Sequence, residues 1–213
     1  MLQVLERTVG LGTKVDVLAH DLGDTVMQEL LASCPGCSDA SPGDGCPFRA
    51  VAMLNGGILP GHHRPRLAQT VLAHPAVGPW LQHLMVRPVF GLALSAVFGP
   101  ETQPSRIELD EDFALVAHNG GVGRTHAHLQ YMAERAANAE RYVGALEHAS
   151  IPLLLLNGPA DPVSGRHVVD AIGTSVGNVD VNVMPEHVGH FPQREMPRVV
   201  ARKVEAWLKQ VTK

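Results

Sequence analysis

The chain has 213 residues, 45% of them hydrophobic and 18% charged, with a formal net charge of −4. That length and composition define a globular protein with a substantial core in one domain, with room for an appended subdomain. The acidic balance and the lack of any long Lys/Arg run argue against nucleic acid or an anionic membrane as the main partner, and leave a small neutral or weakly charged molecule.

The first element, LQVLERTVG, reads as an amphipathic helix. Met1 leads into polar sequence rather than a signal peptide, and no apolar stretch reaches the roughly 18 residues of a membrane span, so the default expectation is a cytoplasmic protein. TKVDVLAHDLGDTVMQELLA then supplies a β-branched run (Val15, Val17, Leu18), the turn AHDLG, and a helix with Val26, Leu30 and Leu31 on one face. This is strand, tight turn, helix, the setting of a nucleophile elbow, with Asp21 at the centre and Ala19 and Gly23 on its cramped flanks. Asp21 is either a carboxylate nucleophile or a helix N-cap, and its partners must decide.

All three cysteines follow in SCPGCSDASPGDGCPF. With no histidine nearby to complete a tetrahedral set, Cys34, Cys37 and Cys46 are read as part of a solvated loop, and no metal is expected. FRAVAMLNGG and IPLLLLNGPAD are continuous apolar runs of the kind buried on both faces of a parallel sheet. Between them, residues 59–150 are mainly helical, with turns at His74-Pro75, Gly99-Pro100 and Asn119-Gly120-Gly121. A connection this long predicts a helical cap over the C-terminal edge of the sheet, with residues 1–58 and 151–213 forming the core.

GTSVG (173–177) matches G-x-S-x-G, but Ser175 follows a helical pattern and precedes the strand VDVNVM. An elbow needs the reverse order, so Ser175 is set aside. The chain closes with the helix MPRVVARKVEAWLKQVTK. Asp161 directly follows one strand, and His190 lies in PEHVGHFPQ after the last. Singly, Asp161 before Pro162 is a turn residue, and His187 with His190 is a metal pair. Together, Asp21, Asp161 and His190 stand at three strand ends in the order nucleophile, acid, histidine. Asn55 occupies the strand end where the acid would otherwise stand.

AHDLGD, GPADPVS and HVGHFPQ resemble the α/β-hydrolase superfamily, in the branch of haloalkane dehalogenases and epoxide hydrolases. AHDLGDTVMQELL, LNGGILPGHHRP, VFGPETQPS, RYVGAL and GPADPV are similar to the mesoderm-specific transcript hydrolases. The resemblance implies an α/β fold, no cofactor, a small-molecule substrate such as an epoxide or ester, and a catalytic set of Asp21, Asp161 and His190. It leaves the endoplasmic reticulum open as a location. The Leu22 N–H is suited to hold an oxyanion. Asn55 and the cap tyrosines Tyr131 and Tyr142 complete the candidate binding residues, an ordinary packed side chain being the commoner role for either tyrosine. Leu22 stands where dehalogenases carry a halide-binding Trp, which disfavours dehalogenation. The HG loop and the strands preceding the nucleophile strand are not found, which predicts an N-terminally shortened sheet of about four parallel strands with an exposed edge. The competing reading is a non-catalytic binding or regulatory protein that retains the three residues.

Overall fold

The computed structural model describes residues 7–8, 12–38, 45–59 and 61–212. Of the expected first helix only Arg7 and Thr8 fall among them, and both are helical. Four strands form one parallel sheet in the order β1 (Val15–His20), β2 (Phe48–Leu54), β3 (Leu153–Asn157), β4 (Asp180–Val183). Parallel pairing requires each connection to cross a face of the sheet. All four C-terminal strand ends therefore lie along one edge, which brings the loops after them together.

The central strands are apolar on both sides because both sides are covered. On one face Phe48, Val51, Met53, Leu153 and Leu155 pack against helix α1 (Leu22–Ser33) and residues of later helices. On the other, Ala50, Ala52, Leu54, Leu154 and Leu156 meet Val200 and Trp207 of the C-terminal helix. The pairing slips between Val15 and Asp16, and this bulge lets Phe48 and Val51 share a face despite their odd spacing.

Between β2 and β3 the chain is helical: α2 (Leu67–Ala73), α3 (Gly78–Leu81), α4 (Arg87–Ser95), α5 (Arg106–Ala117), α6 (Thr125–Leu129), α7 (Tyr131–Ala137) and α8 (Ala139–Glu147). α9 (Arg166–Ser175) joins β3 to β4, and α10 (Pro192–Glu195) and α11 (Pro197–Val211) end the fold. Ser175 is the exposed last residue of α9, with β4 after it, so the helix-to-strand order read from its neighbours holds.

The cysteine segment differs from the expected solvated loop. Cys34, Cys37 and Cys46 are all buried in the core, Cys37 and Cys46 form a disulfide, and the Cys34 thiol points toward the Gly45 carbonyl. Their sulfurs lie within 4.8 Å of one another. The Pro/Gly/Ser tract between them falls largely outside the described residues. Turn composition carried no sign that both its ends would be apolar anchors. None of the described helices is long and apolar enough to cross a membrane.

Candidate active site

Asp21 sits at the junction of β1 and α1 with φ 51° and ψ −108°, a conformation that costs a non-glycine residue about 1–3 kcal/mol. Its side chain makes no capping hydrogen bond, so the helix-cap alternative fails. The turn is held instead by the backbone, the Asp21 N–H donating to the Leu54 carbonyl at 3.2 Å. The expected crowding at Gly23 is milder than predicted: a Cβ there would meet only the Ala19 Cβ, at an ordinary 3.7 Å. The Leu22 N–H stands in the first turn of α1, where helical amides have no intrahelical acceptor.

His190 lies between two carboxylates. Its Nδ1–H donates to Asp161 Oδ2 at 2.8 Å, and its Nε2 stands 3.8 Å from Asp21 Oδ2. The short contact fixes the ring's orientation, and the longer one leaves Asp21 outside a direct hydrogen bond. Burial would lower the His190 pKa, but the two carboxylates outweigh it and raise the imidazole to about 10. Burial likewise pushes Asp21 and Asp161 up, and the His190 proton and charge bring both below the usual carboxylate range.

Asp161 is saturated with donors. Besides His190, its Oδ2 accepts from Asn55 Nδ2 at 3.0 Å and Ser164 Oγ at 2.8 Å, while Oδ1 accepts from the Val163 N–H at 2.7 Å. Asn55 is thereby corrected: its amide also brackets Gly158, donating to the carbonyl at 3.0 Å and accepting from the N–H at 2.7 Å. It is fully buried, and its polar atoms are spent on holding Asp161 and Gly158 in place, leaving none for a substrate. His187 points to Glu101 at 3.9 Å while His190 faces Asp161, so the two histidines are not a metal pair.

The two tyrosines part company. Tyr131, at the start of α7, is close enough to Asp21 that burial and that carboxylate raise its hydroxyl to about 12. Tyr142 is buried in α8, where burial and then the Glu29 and Glu134 charges raise its hydroxyl, with neither Asp21 nor His190 among the causes, so it is the packed side chain of the pair. Both read as aromatics in helical sequence; only the packing of the insertion separates them.

Several neighbours were missed. His20 Nε2–H donates to the His190 carbonyl at 2.8 Å, and their rings lie 4.9 Å apart. Asp24, one turn after Asp21, is wholly buried, and burial followed by the Asp21 charge raises its pKa well above normal. It fills the space where a Cβ on Gly56 would stand, 2.2 Å from its Oδ2. Arg135 is buried beneath Tyr131, donating from Nε to Thr25 at 3.0 Å and from Nη1 to the Gly57 carbonyl at 2.8 Å. The spacing in HDLGD, with Asp24 three residues after Asp21 in the first turn of α1, was a legible signal that a second carboxylate lies close by. No local pattern marked Arg135.

A cavity of about 580 Å³ opens on this group, with Asp21 and His190 in a wall otherwise made largely of Leu67, Val89, Phe90 and other apolar residues. Its roof is pinned to the His190 loop. Glu195 accepts the N–H groups of Gly99, Gly189 and Phe191 at 2.7–3.0 Å, together with the Thr102 hydroxyl, and the His190 N–H donates to the Val97 carbonyl at 2.9 Å. The approach is close enough that a Cβ on Gly99 would stand 1.8 Å from the His187 carbonyl.

No family model matches the chain. The parallel sheet, the strand-turn-helix at Asp21 and the residues gathered at the ends of β1, β3 and β4 define an α/β-hydrolase fold. It is 34% identical over 200 residues to the mesoderm-specific transcript homolog protein of Bos taurus, a match covering 92% of this chain and 58% of that protein. The chain thus spans about 58% of the length of the curated relatives it matches first. Among solved structures, the haloalkane dehalogenase DatA from Agrobacterium tumefaciens C58 is similar with a TM-score of 0.69 at 19% identity, over 99% of this chain and 71% of that one. A thermophilic esterase from Thermogutta terrifontis gives 0.67 at 20% identity, over 100% and 71%. These two likenesses concern the fold alone.

Proposed function

We propose that the protein is a hydrolase in which Asp21 is the nucleophile, His190 the base and Asp161 its orienting acid, acting on a small apolar substrate such as an epoxide or ester. The observation that carries the reading is the strained, uncapped Asp21 carboxylate facing His190 Nε2 at 3.8 Å while Nδ1 is held by Asp161 at 2.8 Å. Residues 59–150 serve as the cap over the cleft. On an epoxide, an Asp21 oxygen attacks a ring carbon and the ring C–O bond breaks. The departing oxygen takes the proton of Tyr131, whose high pKa keeps it protonated at neutral pH. The product is an alkyl ester on Asp21.

Esterification removes the Asp21 charge, and with it one of the two carboxylates that hold the His190 pKa up. The imidazole then gives up its Nε2 proton more readily, returning it through solvent to the Tyr131 phenolate, and becomes a usable base. Neutral Nε2 takes a proton from water, whose oxygen adds to the ester carbon of Asp21. The resulting oxyanion faces the Leu22 N–H. Collapse breaks the ester C–O bond, the leaving oxygen takes the proton of the added hydroxyl to give the diol, and the Asp21 carboxylate and protonated His190 are restored. Leu22 offers no side-chain donor to a leaving halide, so alkyl halides are the poorer substrates.

The test is turnover of a panel of epoxides, esters and alkyl halides by the parent and two variants. Asp21→Asn is expected to abolish turnover, by a factor of at least about 10³, because a neutral amide is a far weaker nucleophile. Ser175→Ala is expected to leave it unchanged. Loss of activity in Ser175→Ala with Asp21→Asn still active would overturn the assignment.

A further inference from the structure

From Gly45 to Pro100 the chain contains no aspartate or glutamate, yet it carries Arg49, Arg64, Arg66 and Arg87. The net charge of −4 conceals this segregation. The same stretch turns large apolar side chains to solvent: Leu67 is 80% exposed, Trp80 78%, Leu92 76% and Leu84 64%. Single exposed leucines are ordinary, but a grouped set is not. Arg66, Leu67, Val89 and Leu92 share the lining of the cavity that contains Asp21, so their exposed parts form one rim around its mouth. Trp80 and Leu84 lie in α3 and the turn that leads directly into Met85, another lining residue. The acidic element packed nearest is α5, and its carboxylates are largely engaged: Asp110 with Arg87, Glu108 and Asp112 with Arg194.

We propose that this rim docks on an anionic phospholipid surface, with Trp80, Leu84 and Leu92 entering the headgroup boundary and Arg64 and Arg66 meeting lipid phosphates. Tryptophan favours that boundary because its ring is apolar and its N–H polar. Arg49 pairs with Asp16 and Arg87 with Asp110, so the charge offered to a bilayer is that of Arg64 and Arg66, set among exposed apolar side chains, and that combination complements an anionic bilayer in both respects. A second copy of the chain fits less well, since symmetric pairing would set the same arginines against one another. Docking would open the cleft toward the bilayer, so that an apolar substrate enters without crossing water. The reading concerns binding alone and stands apart from the role of Asp21.

The experiment is flotation of the full chain with vesicles of phosphatidylcholine, with and without phosphatidylserine, together with tryptophan emission. Binding to the serine-containing vesicles is expected, with a blue shift that is absent from Trp80→Ala; the other tryptophan, Trp207, is already buried. Removing each arginine should weaken binding about fivefold, so Arg64→Gln with Arg66→Gln should lose roughly 25-fold, and high salt should act in the same direction. Thermal melts confirm that the variants are folded. No binding to anionic vesicles, equal binding to both vesicle types, or binding undiminished in folded variants would overturn the proposal. So would Trp80-dependent dimerisation without lipid in sedimentation velocity, which would assign the rim to a second copy.

Discussion

His190 is a far stronger base in this protein than a free imidazole, because carboxylates stand on both of its ring nitrogens. Asp21→Asn and Asp161→Asn should each lower its pKa from about 10, read from the ring resonances by NMR, and an unmoved value in both would reject the electrostatic account. The same shift has a consequence for stability. The folded pKa exceeds the unfolded value near 6.5, so the stabilisation is complete below about pH 6.5 and is withdrawn as pH rises toward 10. Asp161 runs the other way: its depressed pKa contributes above the ordinary carboxylate value and is lost as pH falls through the lower folded one. At this scale the meeting of Asp21, Asp161 and His190 was legible because strand ends announce themselves in sequence. Asn55 was misread because its position is visible locally and its partners, Gly158 and Asp161, are more than 100 residues away.

Among the elements, the seam between the insertion and the His190 loop carries the most consequence for the site. One carboxylate, Glu195, gathers three backbone amides and the Thr102 hydroxyl across it. Glu195→Ala leaves those donors partly buried without an acceptor, which should cost on the order of 3 kcal/mol, measured by urea unfolding. Glu195→Gln keeps an acceptor and should recover part of that loss; equal stability of all three proteins would mean that the seam does not hold the loop. Continuous apolar runs and flanking Gly/Pro made β2 and β3 readable. The seam was not readable, since Glu195 in PQREMP looks like any residue of a helical turn, and Gly99 like a turn signal rather than a close approach to the His187 carbonyl.

For the molecule as a whole, the order of strands followed from their order in the chain. Each strand is laid beside the last, so the sheet needed no long-range rule beyond parallel crossover. The core linkage at Cys37 and Cys46 did not follow, because turn residues between cysteines look alike whether the ends are free or bonded. Closing a loop of this size should contribute about 2–3 kcal/mol. Treatment with a thiol reductant should lower the unfolding free energy by that amount, and an unchanged midpoint would place the linkage outside the stability of the fold. A whole-chain sum of −4 also hides a carboxylate-free segment beside an acidic helix.

The central claim is that a covalent ester forms on Asp21 and that His190 is needed only to remove it. Intact-protein mass spectrometry of His190→Gln after exposure to the epoxide and ester panel tests it most directly, with peptide mapping of any adduct. The account predicts a mass increase equal to the whole epoxide, located on the peptide containing Asp21 and absent from the His190→Gln, Asp21→Asn double variant. Turnover by the parent chain with no adduct in the variant, or with an adduct on Ser175, would contradict it.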